Sequence, residues 1–282
     1  MTVRIITDST CDLPAKVVSE LGIRVIPLYI HVGDRDYADG IDITRDEFYQ
    51  KLPLFTQHPS TAVPSPAKFH AIFDSLADEG ASEILSIHIS ETLSAVVNVA
   101  RTAAAETTSL PVTVLDSRQL SLGTGFLVQT AAELAMQGSS VSEILPALEE
   151  QIKRTHVSAG LDTLQFLRRS GRMNGVISTI GELLQIKPIL KMYDGISGVE
   201  RVRTHQKSVA RLVEMLKSHS PFEKIAFLHS NALESVHTLQ EEIRQLLPNR
   251  EIWVEMINPV LGAHIGPGVV GFACVTSKVP GV

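Results

Sequence analysis

Aromatic residues are scarce, at 5% of 282 residues, and cysteine occurs only twice. Cys11 and Cys274 stand near opposite ends of the chain, with neither metal-ligand spacing nor the density of a secreted disulfide scaffold. That usage fits a reducing cytoplasm. No apolar run approaches the ~18 residues of a membrane span. The opening Met1-Thr2-Val3-Arg4-Ile5-Ile6 reaches polar Thr7-Asp8-Ser9 before a signal-peptide core forms. Neither a span nor a secretory leader is therefore expected. Positive charge is also short: 25 Lys and Arg face 31 Asp and Glu, a formal charge of -6. The surface as a whole lacks the basic footprint of a nucleic-acid binder, although local basic patches are compatible with it.

Familiar chemical motifs are missing as well. There is no Gly-Lys-Ser/Thr phosphate loop, and Gly123-Thr124-Gly125-Phe126-Leu127-Val128 carries Val where a dinucleotide fingerprint needs its third glycine. Close helix packing is the simpler use of those glycines. Ser90 and Ser94 lack the flanking glycines of a nucleophile elbow. Among ten histidines none forms His-x-x-x-His, and there is no Cys-x-x-Cys, so neither metal nor cofactor is expected. Cys11 lies between Asp8 and Asp12, which oppose a thiolate, and it reads as a small side chain packed under a turn. The two aspartates read as turn and cap residues.

What remains is an aliphatic chain, 44% hydrophobic and 20% charged, with ample material for a core. Its first half alternates short β-branched runs with helical stretches, the rhythm of a mostly parallel sheet covered by helices. Strands are expected at Val3–Thr7, Val25–Leu28, Ile84–Ile89 and Val112–Leu115. Helices are expected from Pro14, from Ser65-Pro66 to Glu79, from the Ser90–Ser94 stretch, and from Ser140 to about Arg154 with Glu143 at capping-box spacing. From Val157 the rhythm changes to a mixed pattern. A helix over Gly175–Ile186 precedes strands Ile189–Tyr193 and Val199–Arg203, joined through Asp194-Gly195-Ile196-Ser197-Gly198. Val209–Leu216 and Leu233–Leu247 then read as helices, and Ile225–Leu228 and Ile252–Met256 as strands. A boundary near residue 156 gives domains of 1–156 and 157–282.

Three polar segments remain as candidates for chemistry: Pro59 to Pro66, Ser90 to Ala95, and Gly262 to Gly268. In open α/β sheets such loops gather at the carboxyl ends of strands, where ligands bind. The hydroxyls of Thr61 and Ser94, a helix N-terminus and a histidine would hold an anion such as a carboxylate. Each of these residues would serve equally well as a cap or turn residue.

Taken together, these segments match a known pattern: the chain resembles the DegV family of bacterial fatty-acid-binding proteins. The resemblance rests on Thr7-Asp8-Ser9-Thr10-Cys11-Asp12-Leu13-Pro14, on Thr61-Ala62-Val63-Pro64-Ser65-Pro66, and on Leu93-Ser94 within Glu91 to Val96. Asp116-Ser117, Ser121-Leu122-Gly123, Leu167 to Arg172, Ile186 to Leu190 and Gly262 to Gly268 follow in order across nearly the whole chain. It implies a two-domain α/β protein, a mostly parallel N-terminal sheet with a mixed C-terminal domain, enclosing a long-chain fatty acid near the domain interface. Thr61, Ser94 and His264 are the implied carboxylate contacts. The family acts as the lipid-presenting subunit of a fatty acid kinase, whose separate ATP-binding subunit makes an acyl phosphate for phospholipid synthesis. Arg172 and Arg203 match partner-facing positions, with Arg201 a near neighbour of the second. Transient membrane contact is compatible with that role.

The chain departs from the pattern at Ala62, Val63, Glu91 and Ala95, where the family has serine, glutamine and two glycines. A carboxylate at Glu91 would repel a like-charged ligand unless it points away. Two other readings use the same residues. One is a hydrolase or transferase with Ser94 as nucleophile and His264 as base, which lacks an evident orienting acid. The other is a sensor whose lipid occupancy alters a contact through Arg168, Arg169 and Arg172, a run that as a bland alternative is a solvated loop.

Overall fold

The computed structural model describes residues 2–172 and 186–278. Strand β1 (Val3–Asp8) is the centre of a four-stranded parallel sheet. It pairs with β2 (Arg24–Ile26) on one side and β6 (Glu83–His88) on the other, and β6 pairs with β7 (Val112–Asp116). Ile5, Ile6, Ile84, Leu85 and Ile87 are all buried. Both faces of this sheet are therefore covered, and its strands read as apolar runs rather than as alternation. The covering helices include α1 (Ala15–Glu20), α3 (Pro66–Asp78), α4 (Val96–Glu106), α5 (Leu122–Met136) and α6 (Val141–Ile152). The capping box at the start of α6 is present, with the Glu143 carboxylate accepting from Ser140 N at 2.9 Å.

Three differences from expectation have local causes. Ser65 occupies the N-cap of α3 with extended backbone, but its hydroxyl makes no capping bond, so Pro66 at N1 marks the start. Helix α4 begins at Val96, because Ser90 O accepts both Leu93 N and Ser94 N and closes a turn instead. A small antiparallel sheet, β3 (Tyr29–Val32), β4 (Arg35–Ala38) and β5 (Ser60–Ala62), was not expected. Its strands are three or four residues long, too short for a period-two signal.

The second sheet has six strands in the order β10-β9-β8-β13-β11-β12. They are β8 (Thr155–Gly160), β9 (Lys187–Tyr193), β10 (Ile196–Val202), β11 (Phe222–His229), β12 (Trp253–Met256) and β13 (Val270–Thr276). All pairings are antiparallel except β11 with β12. Alternation along β13 and β11 assigns the two faces. Phe272, Cys274, Ile225 and Phe227 pack with α8 (His205–His219) and α9 (Leu233–Glu242). Ala273, Val275, Ala226 and Leu228 belong to the same continuous core as Leu122 and Phe126 of α5. The expected boundary at 156 falls on the second residue of β8, and every strand of the six-stranded sheet lies from Thr155 onward.

The β9–β10 connection is tighter than expected. Only Asp194 and Gly195 separate the strands, with φ of 43° and 78°. Two left-handed residues are what a two-residue hairpin turn demands. This tip docks on the first half, where Gly195 N donates to Arg118 O at 2.9 Å and the Arg118 guanidinium bridges Asp194 and Glu149. The helix expected over Gly175–Ile186 lies outside the described residues, save for Ile186. Beyond α9, the helical run expected to Leu247 closes as a 3-10 turn over Arg244–Leu246.

Candidate functional site

The site is assembled from three segments far apart in sequence. Asp12 sits in the left-handed region, φ 56°, where Asp is among the few non-glycine residues tolerated. Its buried carboxylate accepts from Asn258 N and Nδ2 at 3.0 Å each and from Ser121 Oγ at 2.6 Å, with Arg45 at 3.3 Å. Asn258 in turn caps α10 (Pro259–Ile265), its side chain accepting from Leu261 N at 2.9 Å. Pro259 fills the first turn and Gly262 lets the helix lie against Phe48 and Tyr49 of α2 (Arg45–Lys51). The opening loop of the chain thus fixes where α10 begins.

Helix α10 carries His264, and its Nε2 shares a 3.0 Å hydrogen bond with Thr61 Oγ1 on the edge strand β5. Two residues separated by 203 positions meet here. Burial, then the positive charge of Arg172, then His58 push the His264 ring down to about 4, so it is neutral near pH 7. Its Nδ1 is buried without a partner. The pair therefore offers neutral polar groups beside a cationic neighbour, suited to an anion that must be held without a direct ion pair.

Ser94 belongs to a different segment, the loop between β6 and α4, and shares no hydrogen bond with that pair. Its hydroxyl oxygen accepts from Val96 N at 3.4 Å, and the residue is half-buried. The structure brings Thr61 and His264 together and leaves Ser94 on a separate loop. A Ser94–His264 nucleophile and base are consequently not formed: the imidazole nitrogen that faces a hydroxyl faces that of Thr61. A chain with the connectivity of a catalytic triad does exist elsewhere. Ser86 Oγ lies 2.7 Å from His88 Nε2, and His88 Nδ1 lies 2.9 Å from Asp8 Oδ2. All three residues are fully buried, so no substrate reaches them, and their role is to bind β1 to β6. Burial would raise Asp8, but the hydrogen bond and charge of His88 outweigh it and hold the carboxyl below its ordinary value.

Arg168 and Arg169 lie in α7 (Gln165–Arg169), and Arg172 is exposed just beyond it. Arg203 is exposed after β10, immediately before Thr204, whose side chain caps α8 by accepting from Lys207 N at 3.2 Å. Arg201 is exposed on β10 itself. Of these described arginines, Arg172 is the one that acts electrostatically on His264. No group of three or more metal-ligating side chains occurs among the described residues.

The fold that carries these residues recurs in known proteins. The family model described as "Uncharacterised protein, DegV family" matches residues 2–277. The chain belongs to the DegV family. A DegV domain-containing protein of Halalkalibacterium halodurans is 33% identical over 280 residues, covering 98% of this chain and 99% of that one. Among solved structures, a fatty-acid-binding DegV family protein from Thermus thermophilus is 34% identical with a TM-score of 0.89, covering 98% of this chain and all of that one. DegV of Bacillus subtilis, a fatty acid binding protein, matches at 29% identity, a TM-score of 0.89 and the same coverage. The expected α/β architecture, a parallel sheet with a mixed one, is thereby shared with DegV proteins.

Against the DegV pattern, the departures find local explanations. The Glu91 carboxylate accepts from Arg101 Nη1 at 2.5 Å, an ion pair with α4 that turns its charge aside. Ala95 occupies the N-cap of α4 at φ -77°, where a methyl group causes no strain. Ala62 is exposed on β5 and Val63 packs against the core. Cys11 is buried, and burial first, with Asp8 and Asp12 adding to it, pushes its thiol up to about 12. It is a packed side chain, as expected. The residues that sequence reasoning missed are Asp12, Arg45 and Asn258, which it treated as turn residues or not at all. An aspartate in a signature start and an asparagine before a Pro-initiated helix were the available signals.

Proposed function

We propose that this chain binds a long-chain fatty acid and presents its carboxylate to a separate kinase subunit, which converts it to an acyl phosphate for phospholipid synthesis. The observation that carries the proposal is the Thr61–His264 hydrogen bond, formed by a neutral imidazole beside Arg172. Fatty-acid-binding relatives from two organisms share the fold over nearly the whole chain and so support the nature of the ligand. In this reading the chain has no catalysis of its own and works in the cytoplasm. The kinase brings Mg²⁺ and ATP.

The proton inventory assigns the roles. Thr61 has one hydroxyl proton, and it goes to the carboxylate. Its oxygen then accepts from His264 Nε2–H, so His264 orients Thr61 rather than competing with it. Ser94 closes on the head group from the opposite loop. Arg172 and Arg203 face the kinase. Burial of some fourteen methylenes at ~0.8 kcal/mol each supplies at most roughly 11 kcal/mol before ordering costs, so the tail sets affinity. Hydrogen bonds of about 1–3 kcal/mol set which end faces out.

Phosphorylation of bound acid by the cognate kinase tests the assignment. Thr61→Ala and Ser94→Ala should each slow acyl phosphate formation more than they weaken retention of the acid. Wild-type rates in both variants would remove those residues from the head-group site.

A further inference from the structure

Strands β11 and β12 run parallel and are joined through α9, with His229 and Met256 in register at their carboxyl ends. The crevice beyond such ends, at the start of the connecting helix, is where open α/β sheets hold ligands. Here it is a cavity of about 520 Å³, within the ordinary range of a small-molecule site. His229, Met256 and the first turn of α9 line it together with Asp162, His205 and Gly268. Thr61, Ser94 and His264 are not in its lining, so the cavity is distinct from the head-group site.

Donors are left free at this spot. Helix α9 has no side-chain cap, and the N–H groups of Leu233 and Glu234 find no acceptor among the described residues. His229 stands at the same helix end, because its Nδ1 accepts from Ala232 N at 3.4 Å. An accepting Nδ1 puts the proton of a neutral imidazole on Nε2. The residue is only 7% exposed. Its Nε2–H has no partner among the described residues yet is not sealed off, so it opens on the cavity that the ring lines. One buried side-chain donor beside two main-chain donors at a helix N-terminus suits the three terminal oxygens of a phosphate monoester.

The lining carboxylates narrow the rest of the ligand. Asp162 is taken by Lys187 Nζ at 2.9 Å, whereas Glu234 is exposed and has no ion pair among the described residues. A free carboxylate repels a bare anion, but it accepts hydrogen bonds from hydroxyl groups on the body that carries the phosphate. We propose that this crevice binds a phosphate monoester on a hydroxylated carbon body, the chemistry shared by sugar phosphates and nucleotides. The phosphate sits on the start of α9 and His229 Nε2–H, and the hydroxyls reach Glu234. The site is independent of the fatty-acid reading, which stands or falls without it.

Isothermal titration calorimetry of the purified chain with ribose 5-phosphate, AMP, ribose and inorganic phosphate tests the proposal. At least one of the two esters should bind with a Kd below about 1 mM, and about tenfold or more tighter than ribose or inorganic phosphate. A preference for ribose 5-phosphate makes the ligand a sugar phosphate and a preference for AMP makes it a nucleotide, and either supports the site. In wild-type protein with ¹⁵N-labelled histidine, the His229 Nε2 resonance should move with the ester and not with ribose. His229→Phe removes the donor and should weaken the ester about tenfold to hundredfold. Ser235→Asp covers the case in which Phe disturbs β11: an acid suits the first turn of a helix, so the melting temperature should hold while the added charge abolishes ester binding. Glu234→Gln should erase the preference for the esters over inorganic phosphate. Failure of both esters to bind below about 1 mM, inorganic phosphate as tight as either, or wild-type affinity in both His229→Phe and Ser235→Asp overturns the proposal.

Discussion

Replacing Asp12 with alanine should damage the fold and the site together. The carboxylate is fully buried, receives three hydrogen bonds from Asn258 and Ser121, and lies 3.3 Å from Arg45. Breaking a buried ion pair by removing one partner costs about 3–5 kcal/mol. Arg45 keeps Glu255 at 3.4 Å and the carbonyl of Met256, which places the loss at the low end. Alanine at φ 56° adds about 1–2 kcal/mol of left-handed strain. The total, about 4–6 kcal/mol, is a large part of the ~5–15 kcal/mol by which a domain is ordinarily stable. With an m-value near 3 kcal/mol/M, the urea midpoint should drop by about 1.5 M. Trp253, the single tryptophan, reports the transition from β12, where it packs on Phe126 at 5.9 Å. Asp12→Asn tolerates the backbone and keeps an acceptor for Asn258 but still removes the charge facing Arg45, so its loss should be about 3 kcal/mol, without the left-handed strain. A midpoint for Asp12→Ala within about 0.3 M of wild type would refute the claim that this carboxylate anchors α10.

Other outcomes follow from the same geometry. His264 is held down to about 4 in the folded chain against about 6.5 when unfolded. The unfolded state therefore binds the extra proton first, and stability of the ligand-free protein should fall by up to about 3 kcal/mol as pH drops from about 6.5 to about 4. His264→Gln should flatten that part of the curve in urea titrations, and an unchanged curve would contradict the neutral imidazole. A Cβ on Gly262 would lie 2.6 Å from Tyr49 Oη and 2.9 Å from the Phe48 ring. Gly262→Ala should cost about 1–3 kcal/mol by overpacking and lower the melting temperature, which scanning calorimetry would show. Arg101→Ala releases Glu91 from an exposed pair and should change stability by less than about 1 kcal/mol. Its effect should instead be weaker fatty-acid binding, and unaltered affinity would mean that Glu91 stays clear of the head group.

Local signals carried much of this fold. The apolar runs at Ile5–Ile6 and Ile84–Ile87 announced strands buried on both faces, and Ser140 with Glu143 announced a helix start that the hydrogen bonds bear out. The small sheet stayed hidden because β4 places exposed Arg35 and Asp36 in a four-residue strand, where tertiary pairing outweighs pattern. Thr61 and His264 were each singled out as polar residues in promising loops, but their meeting depends on Asp12 reaching Asn258 across 246 positions. No local periodicity encodes such a contact. Ser94 shows the opposite limit: its motif drew attention, yet the turn closed by Ser90 O sets its backbone and Val96 N takes up its hydroxyl oxygen.

The most direct measurement is mass spectrometry of the organic extract from denatured, freshly purified protein. About one long-chain fatty acid per chain is expected, released only on unfolding, since a buried acyl tail of this length exchanges slowly with water. An extract without acyl chains, from protein that also fails to take up added fatty acid, would contradict the account.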